Sequence, residues 1–137
     1  MTWTARMADW FRTRIGDAAG QTSWEYLVLY LALHIWAADS RSGFLILGDN
    51  LASLSGVLSL RGKGGAPNVI TKEIAWRRVR YGWRFACGHL PTEKNKLADS
   101  LSRLAAPSGS EQRCFPEELS QASVRAAPDF DSLWVCS

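Results

Sequence analysis

The feature that most constrains this chain is QTSWEYLVLYLALHIWAADS, in which apolar residues fill nearly every position from Tyr26 to Ala38. They do not alternate, and they persist for more than three turns, so the stretch predicts a helix that is apolar around most of its circumference. Two layers of structure are needed to cover such a helix. The run contains His34 and falls short of the roughly 20 residues of a membrane span, which places it in a core and predicts no membrane partner. Thr22, three residues before Glu25, makes a T-x-x-E capping box, so the helix is expected to start near Ser23.

The rest of the chain is long enough to supply those layers. At 137 residues it is one domain by size, able to bury a core without disulfides or structural metal. Hydrophobic residues at 47% and charged residues at 21% exclude wholesale disorder, and a net charge of +3 leans toward a polyanionic partner. Cys87, Cys114 and Cys136 form an odd set with no C-x-x-C pair, which fits neither a disulfide framework nor a zinc module. They favour an intracellular, reducing setting, cytoplasmic or nuclear. The first residues, MTWTARMADWFRTR, carry charge without an apolar run, so no secretory signal is expected.

GFLILGDN reads as a strand buried on both faces, with Asp49 at its C-terminal end. LASLSGVLSL follows with Leu51, Leu54, Val57 and Leu58 at helical spacing, and RGKGGAPN breaks it. Asn68 is the expected N-cap of VITKEIAWRRVRY, whose inward face carries Ile70, Ile74 and Tyr81; Gly82 suits the helix end. WRFACGH reads as a second strand. Asn95 is then placed to cap KLADSLSRLA, with Leu97, Leu101 and Leu104 as its inward stripe. The fold class is α/β. From Pro107 the composition turns to Ser, Pro, Glu and Ala without a period, so residues 1–106 are expected to form the domain and 107–137 a linker or loosely attached tail, of which LWVCS is the part suited to dock. Trp24, Trp36, Trp76 and Trp83 are read as core, and His34 is given no role beyond a core or interface position.

Asp99 lies two residues from Leu97 and two from Leu101, at the border of the expected buried stripe. An unpaired carboxylate there is costly, and a divalent cation shared with other carboxylates would make the position favourable, since hard Mg²⁺ takes oxygen ligands. Asp49 ends a strand, where sites of open α/β sheets lie. Each residue also has a plainer reading: Glu25 as the third residue of a capping box, Asp49 and Asn50 as caps of the next helix, Asp99 as the i,i+4 partner of Arg103, and His89 as a loop histidine.

WEYLVLYLALHIW, LILGDN and HLPTEKNKLADSLSRL, in that order, resemble the second, third and fourth catalytic blocks of a type 1 ribonuclease H domain. The ending N-x-x-A-D-x-L-S-R, Asn95 to Arg103, is similar above all to the domains that follow reverse transcriptase in retroelement polyproteins. Glu25 precedes Asp49 by 24 residues, Asp49 precedes Asp99 by 50, and His89 precedes Asp99 by 10. The resemblance covers about Ser23 to Ala106. It implies a ribonuclease H-like mixed sheet flanked by helices, with Glu25, Asp49 and Asp99 as ligands of two Mg²⁺ ions, Mn²⁺ serving in their place. It also implies that His89 assists water attack or product release. The implied chemistry is metal-dependent endonucleolytic hydrolysis of the RNA strand of an RNA/DNA hybrid, in a chain associated with a reverse transcriptase.

The family carries a fourth carboxylate on a first strand, and the 24 residues before Glu25 are too few for the three antiparallel strands that should precede it. Asp9 and Asp17 lie in no apolar strand. The first strand or strands and their aspartate are therefore expected to be missing, which makes this a domain truncated at its N-terminus with impaired activity, or an inactive nucleic-acid-binding remnant of the same fold. KEIAWRRVRYGWR concentrates Lys72, Arg77, Arg78, Arg80 and Arg84, and RGKGG adds Arg61 and Lys63. Given the resemblance, these are candidate phosphate contacts, together with Asn50 and Asn95 beside the site blocks.

Overall fold

Two parallel strands, with helices before, between and after them, organise the chain in a computed structural model that describes residues 4–14, 16–37, 43–104 and 115–136. In order come helix α1 (Ala5–Trp10), helix α2 (Ala18–Trp36), strand β1 (Phe44–Gly48), helix α3 (Leu51–Ser59), helix α4 (Gly65–Tyr81), strand β2 (Phe85–His89) and helix α5 (Lys96–Arg103). β1 pairs with β2 in parallel, in a register that runs from Phe44 opposite Phe85 to Gly48 opposite His89. Parallel neighbours need a crossover, and α3 and α4 provide it. Among the described residues the sheet has these two strands, and residues 5–10 form a helix.

α2 carries the centre of the core. Leu27, Tyr30 and Leu33 are fully buried against α3, α4 and the inner face of the sheet, where they meet Leu54, Val57, Ile70, Ile74 and Phe85. The apolar run is thus covered on most sides, though Val28 and Trp36 remain exposed. Trp83 is buried and Trp24 packs against the core, but the core reading of the tryptophans fails at Trp36, which faces outward at the helix end, and at Trp76, which is half-buried beside Tyr81 and outside the core cluster.

Four helix details differ from expectation. α2 begins at Ala18 behind Asp17 and not near Ser23, because Ala18–Gln21 continue the helix upstream of the T-x-x-E box. α4 begins at Gly65 behind Gly64, so Asn68 is inside the helix; Pro67 sits in the first turn, where its missing N–H costs no hydrogen bond. Tyr81 is exposed at the end of α4, not on its inward face; Gly82, at φ 68°, does stop that helix in the left-handed region that glycine adopts freely. Asn95 stands at the start of α5, but its side chain makes no capping bond.

The larger correction concerns the sheet's second face. β1 was expected to be buried on both sides, yet only Ile46 is buried while Leu45 and Leu47 are 61% and 53% exposed. α5 was expected to supply an inward stripe, yet it contains no buried residue, and Leu97, Leu101 and Leu104 are all exposed. The alternating strand therefore shows one dry and one wet face. Residues 107–114, with Cys114, lie outside the described residues, as does Ser137. Phe130 and Leu133, in contrast, are buried beside α1, α2 and α4. No helix of the described residues is long and apolar enough to cross a membrane.

Candidate functional site

The end of β1 builds the site. Gly48 closes the strand, Asp49 occupies the bend, and Asn50 caps α3: its Oδ1 accepts from the Ser53 N–H at 3.0 Å, while the Ser53 hydroxyl donates to the Asn50 carbonyl at 3.1 Å. The first of these bonds satisfies one orphan N–H of the first turn. Asn50 has a second task, because its Nδ2 donates to Oε2 of Glu25 across the gap to α2. Oε1 of Glu25 accepts from Gln21 Nε2, one turn back on α2, at 3.3 Å. Glu25 is thus no capping residue; it sits in the third turn of α2 and is half-buried against the mouth of the strand.

A cleft of about 380 Å³ opens at this point, lined by Glu25, Asp49 and Asp99 together with Asn50, Asn95 and Trp24. Three carboxylates from α2, β1 and α5 therefore share one opening at the C-terminal end of a parallel strand. Asp49 is exposed and has no partner among the described residues. Asp99 is half-exposed and forms an ion pair with Arg103 at 3.0 Å, one turn along α5. The costly buried edge expected for Asp99 does not arise, since α5 contains no buried residue.

The donor chemistry suits a hard cation, but the arrangement does not close around one. Among the described residues no three His, Cys, Asp or Glu side chains come together closely enough to hold a metal ion. Both oxygens of Glu25 are engaged by side-chain amides and Asp99 by a guanidinium. His89 ends β2 with its side chain exposed and is not among the cleft's lining residues. Asp9 and Asp17 are exposed on or before the first two helices, and neither reaches the cleft.

The basic residues divide. Arg61, Lys63, Lys72, Arg78 and Arg80 are exposed, Arg78 lying over the Phe85 ring at 5.3 Å and Arg80 over Tyr81 at 5.9 Å. Arg77 corrects the expectation. It is buried, donates to the Leu133 carbonyl at 3.2 Å, and lies within 6.0 Å of the Tyr30, Trp76 and Trp83 rings, so its guanidinium is not accessible to a phosphate.

Gln21 and Ser53 belong to the cleft but read in the sequence as ordinary helix residues, and Trp24, read there as core, lines the cleft as well. Gln21 was in principle legible, since it lies one turn before Glu25 on the same helix face. Glu73 carries no role in the sequence reading either; its spacing of three from Ile70, on the apolar face of the helix, is the sign that it faces inward. No family model, curated protein or solved structure matches this chain.

Proposed function

We propose that the chain is a ribonuclease H-like domain of the reverse transcriptase-associated kind. In this reading it binds the backbone of an RNA/DNA hybrid, and its hydrolysis of the RNA strand is slow or absent. One observation carries the reading: Glu25, Asp49 and Asp99, drawn from three elements in the order and spacing of that family's blocks, line a single cleft at the end of a parallel strand. Glu25, Asp49 and Asp99 are the proposed ligands of Mg²⁺ or Mn²⁺, which would supply charge neutralisation for a bound phosphate. Glu25 and Asp99 are already engaged by Gln21, Asn50 and Arg103, so affinity for the ion is low. Asn50 holds Glu25 at the cleft mouth, and Arg61, Lys63, Lys72, Arg78 and Arg80 supply the phosphate contacts.

The test is anisotropy of a labelled RNA/DNA hybrid, alongside a cleavage assay with Mg²⁺ or Mn²⁺, EDTA and Asp49→Asn. Five phosphate contacts predict an affinity that falls on the order of several hundredfold between 50 and 200 mM salt. Metal-dependent cleavage lost in Asp49→Asn would raise the chain to an active nuclease. An affinity flat with salt, or equal for hybrid and duplex DNA, would overturn the proposal.

A further inference from the structure

The C-terminal segment lies in a groove that reads its backbone. Leu133 is fully buried, and its carbonyl accepts from both walls: from the Tyr30 hydroxyl of α2 at 2.6 Å and from Arg77 Nη2 of α4 at 3.2 Å. Two residues further on, the N–H groups of Val135 and Cys136 donate to the same Glu73 oxygen, at 2.8 and 2.6 Å. Glu73 is fully buried and Arg77 is 6% exposed; they stand one turn apart on α4, yet no ion pair joins them. Both instead face the segment, an anion toward its donors and a cation toward its acceptor. α1 completes the groove. Trp134 stacks on Trp10 at 5.8 Å, Phe130 meets Phe11 edge-on at 6.1 Å, and Arg6 Nη2 reaches both carboxylate oxygens of Asp131 at 2.6 Å.

Two features separate this from a permanent piece of core. Glu73 Oε2, Arg77 Nε and Trp134 Nε1 are buried without a hydrogen-bond partner, and a permanent core gains more from apolar residues than from half-satisfied charges. Charges on a groove floor are useful where the groove must also stand open to water. The residues leading to the segment lie at the surface, for every residue from Gln121 to Ala127 is exposed. We propose that the α1–α2–α4 groove is a peptide-recognition site for an acidic aromatic–leucine segment, Phe-Asp-x-Leu-Trp followed by two free backbone N–H groups. The chain's own Phe130–Cys136 fills it in cis, and a partner presenting the same chemistry fills it in trans.

The test uses the full chain and a labelled peptide of residues 129–136. Wild type binds the peptide weakly, because the cis segment competes at an effective concentration in the millimolar range. Leu133→Ala in the chain weakens only the cis competitor and raises peptide affinity at least tenfold. The same substitution in the peptide, or N-methylation at its Val135 and Cys136 positions, abolishes binding. A dimer at high chain concentration that the peptide dissolves is the same recognition made between two copies and supports the proposal. If the Leu133→Ala chain does not fold, hydrogen exchange of wild type decides: amides of 130–136 exchange at least tenfold faster than those of Leu27–Leu33. Protection equal to α2, or no affinity gain in a folded Leu133→Ala chain, overturns it.

Discussion

Arg77 and Arg78 are adjacent, yet 100° of helix rotation sends one guanidinium into the core and the other to the surface. Arg77→Ala removes a charge-assisted bond to Leu133 and three ring contacts, and should lower stability by about 2 kcal/mol in urea unfolding. Arg78→Ala should leave the urea midpoint within about 0.5 kcal/mol and reduce the salt dependence of hybrid binding. Composition counted the two alike, and only the apolar spacing of Ile70 and Ile74 hinted at the difference. His34 responds to the same guanidinium. Burial, and secondarily the charge of Arg77, hold its pKa below the usual 6.5. The unfolded chain therefore takes up a proton below about pH 6.5 that the folded chain refuses, so stability falls as pH drops from 6.5 toward the lowered value and is unaffected above that window. His34→Asn should show a smaller loss of urea midpoint between pH 7.5 and 5.5 than wild type; identical losses would remove His34 from the account.

At the level of elements, the existence of α2, α3, α4, α5 and both strands was legible in hydrophobic period, while their boundaries and depths were not. The T-x-x-E box of Thr22 and Glu25 does not start the helix, which runs on upstream to Ala18, and the Glu25 carboxylate serves Gln21 and Asn50 instead of a cap. Pro67 read as a breaker, but it occupies a turn that needs no N–H. The burial of β1 and α5 was misread for a different reason: a period reports which face is apolar, not whether another element arrives to cover it. The contact of α2 with α3 is also invisible in sequence, since it depends on a glycine. A Cβ on Gly56 would fall 1.8 Å from the Tyr26 hydroxyl oxygen and 2.9 Å from the Arg61 carbonyl, so α3 approaches α2 only with glycine there. Gly56→Ala should cost about 1–3 kcal/mol, read as a lower urea midpoint. Combined with Tyr26→Phe, which deletes the nearest clashing atom, the penalty should shrink; strict additivity of the two substitutions would show that the clash is relieved elsewhere.

For the whole molecule, the consequence of one covered and one open sheet face is an apolar surface made of Leu45 and Leu47 on β1, with Leu97, Leu101 and Leu104 exposed on α5. The candidate cleft depends on this weakly anchored region, because Asp99 rides on a helix with no buried residue while Glu25 and Asp49 stand on elements tied to the core. The three carboxylates were legible in order and spacing, but the amide partners of Glu25 were not, since they depend on how α2 meets the turn after β1. The open strand face is the part of the molecule most prone to self-association, as apolar patches on strands offer both area and backbone groups to another chain. Leu45→Thr with Leu47→Thr introduces β-branched residues suited to a strand and removes the apolar surface without touching Ile46, the buried member of β1. The double variant should sediment as a smaller species than wild type at the same concentration and keep its thermal midpoint within a few degrees. A midpoint that falls by ten degrees or more would mean that this face is covered in solution, and that α5, with Asp99, packs more closely over β1 than the exposed leucines indicate.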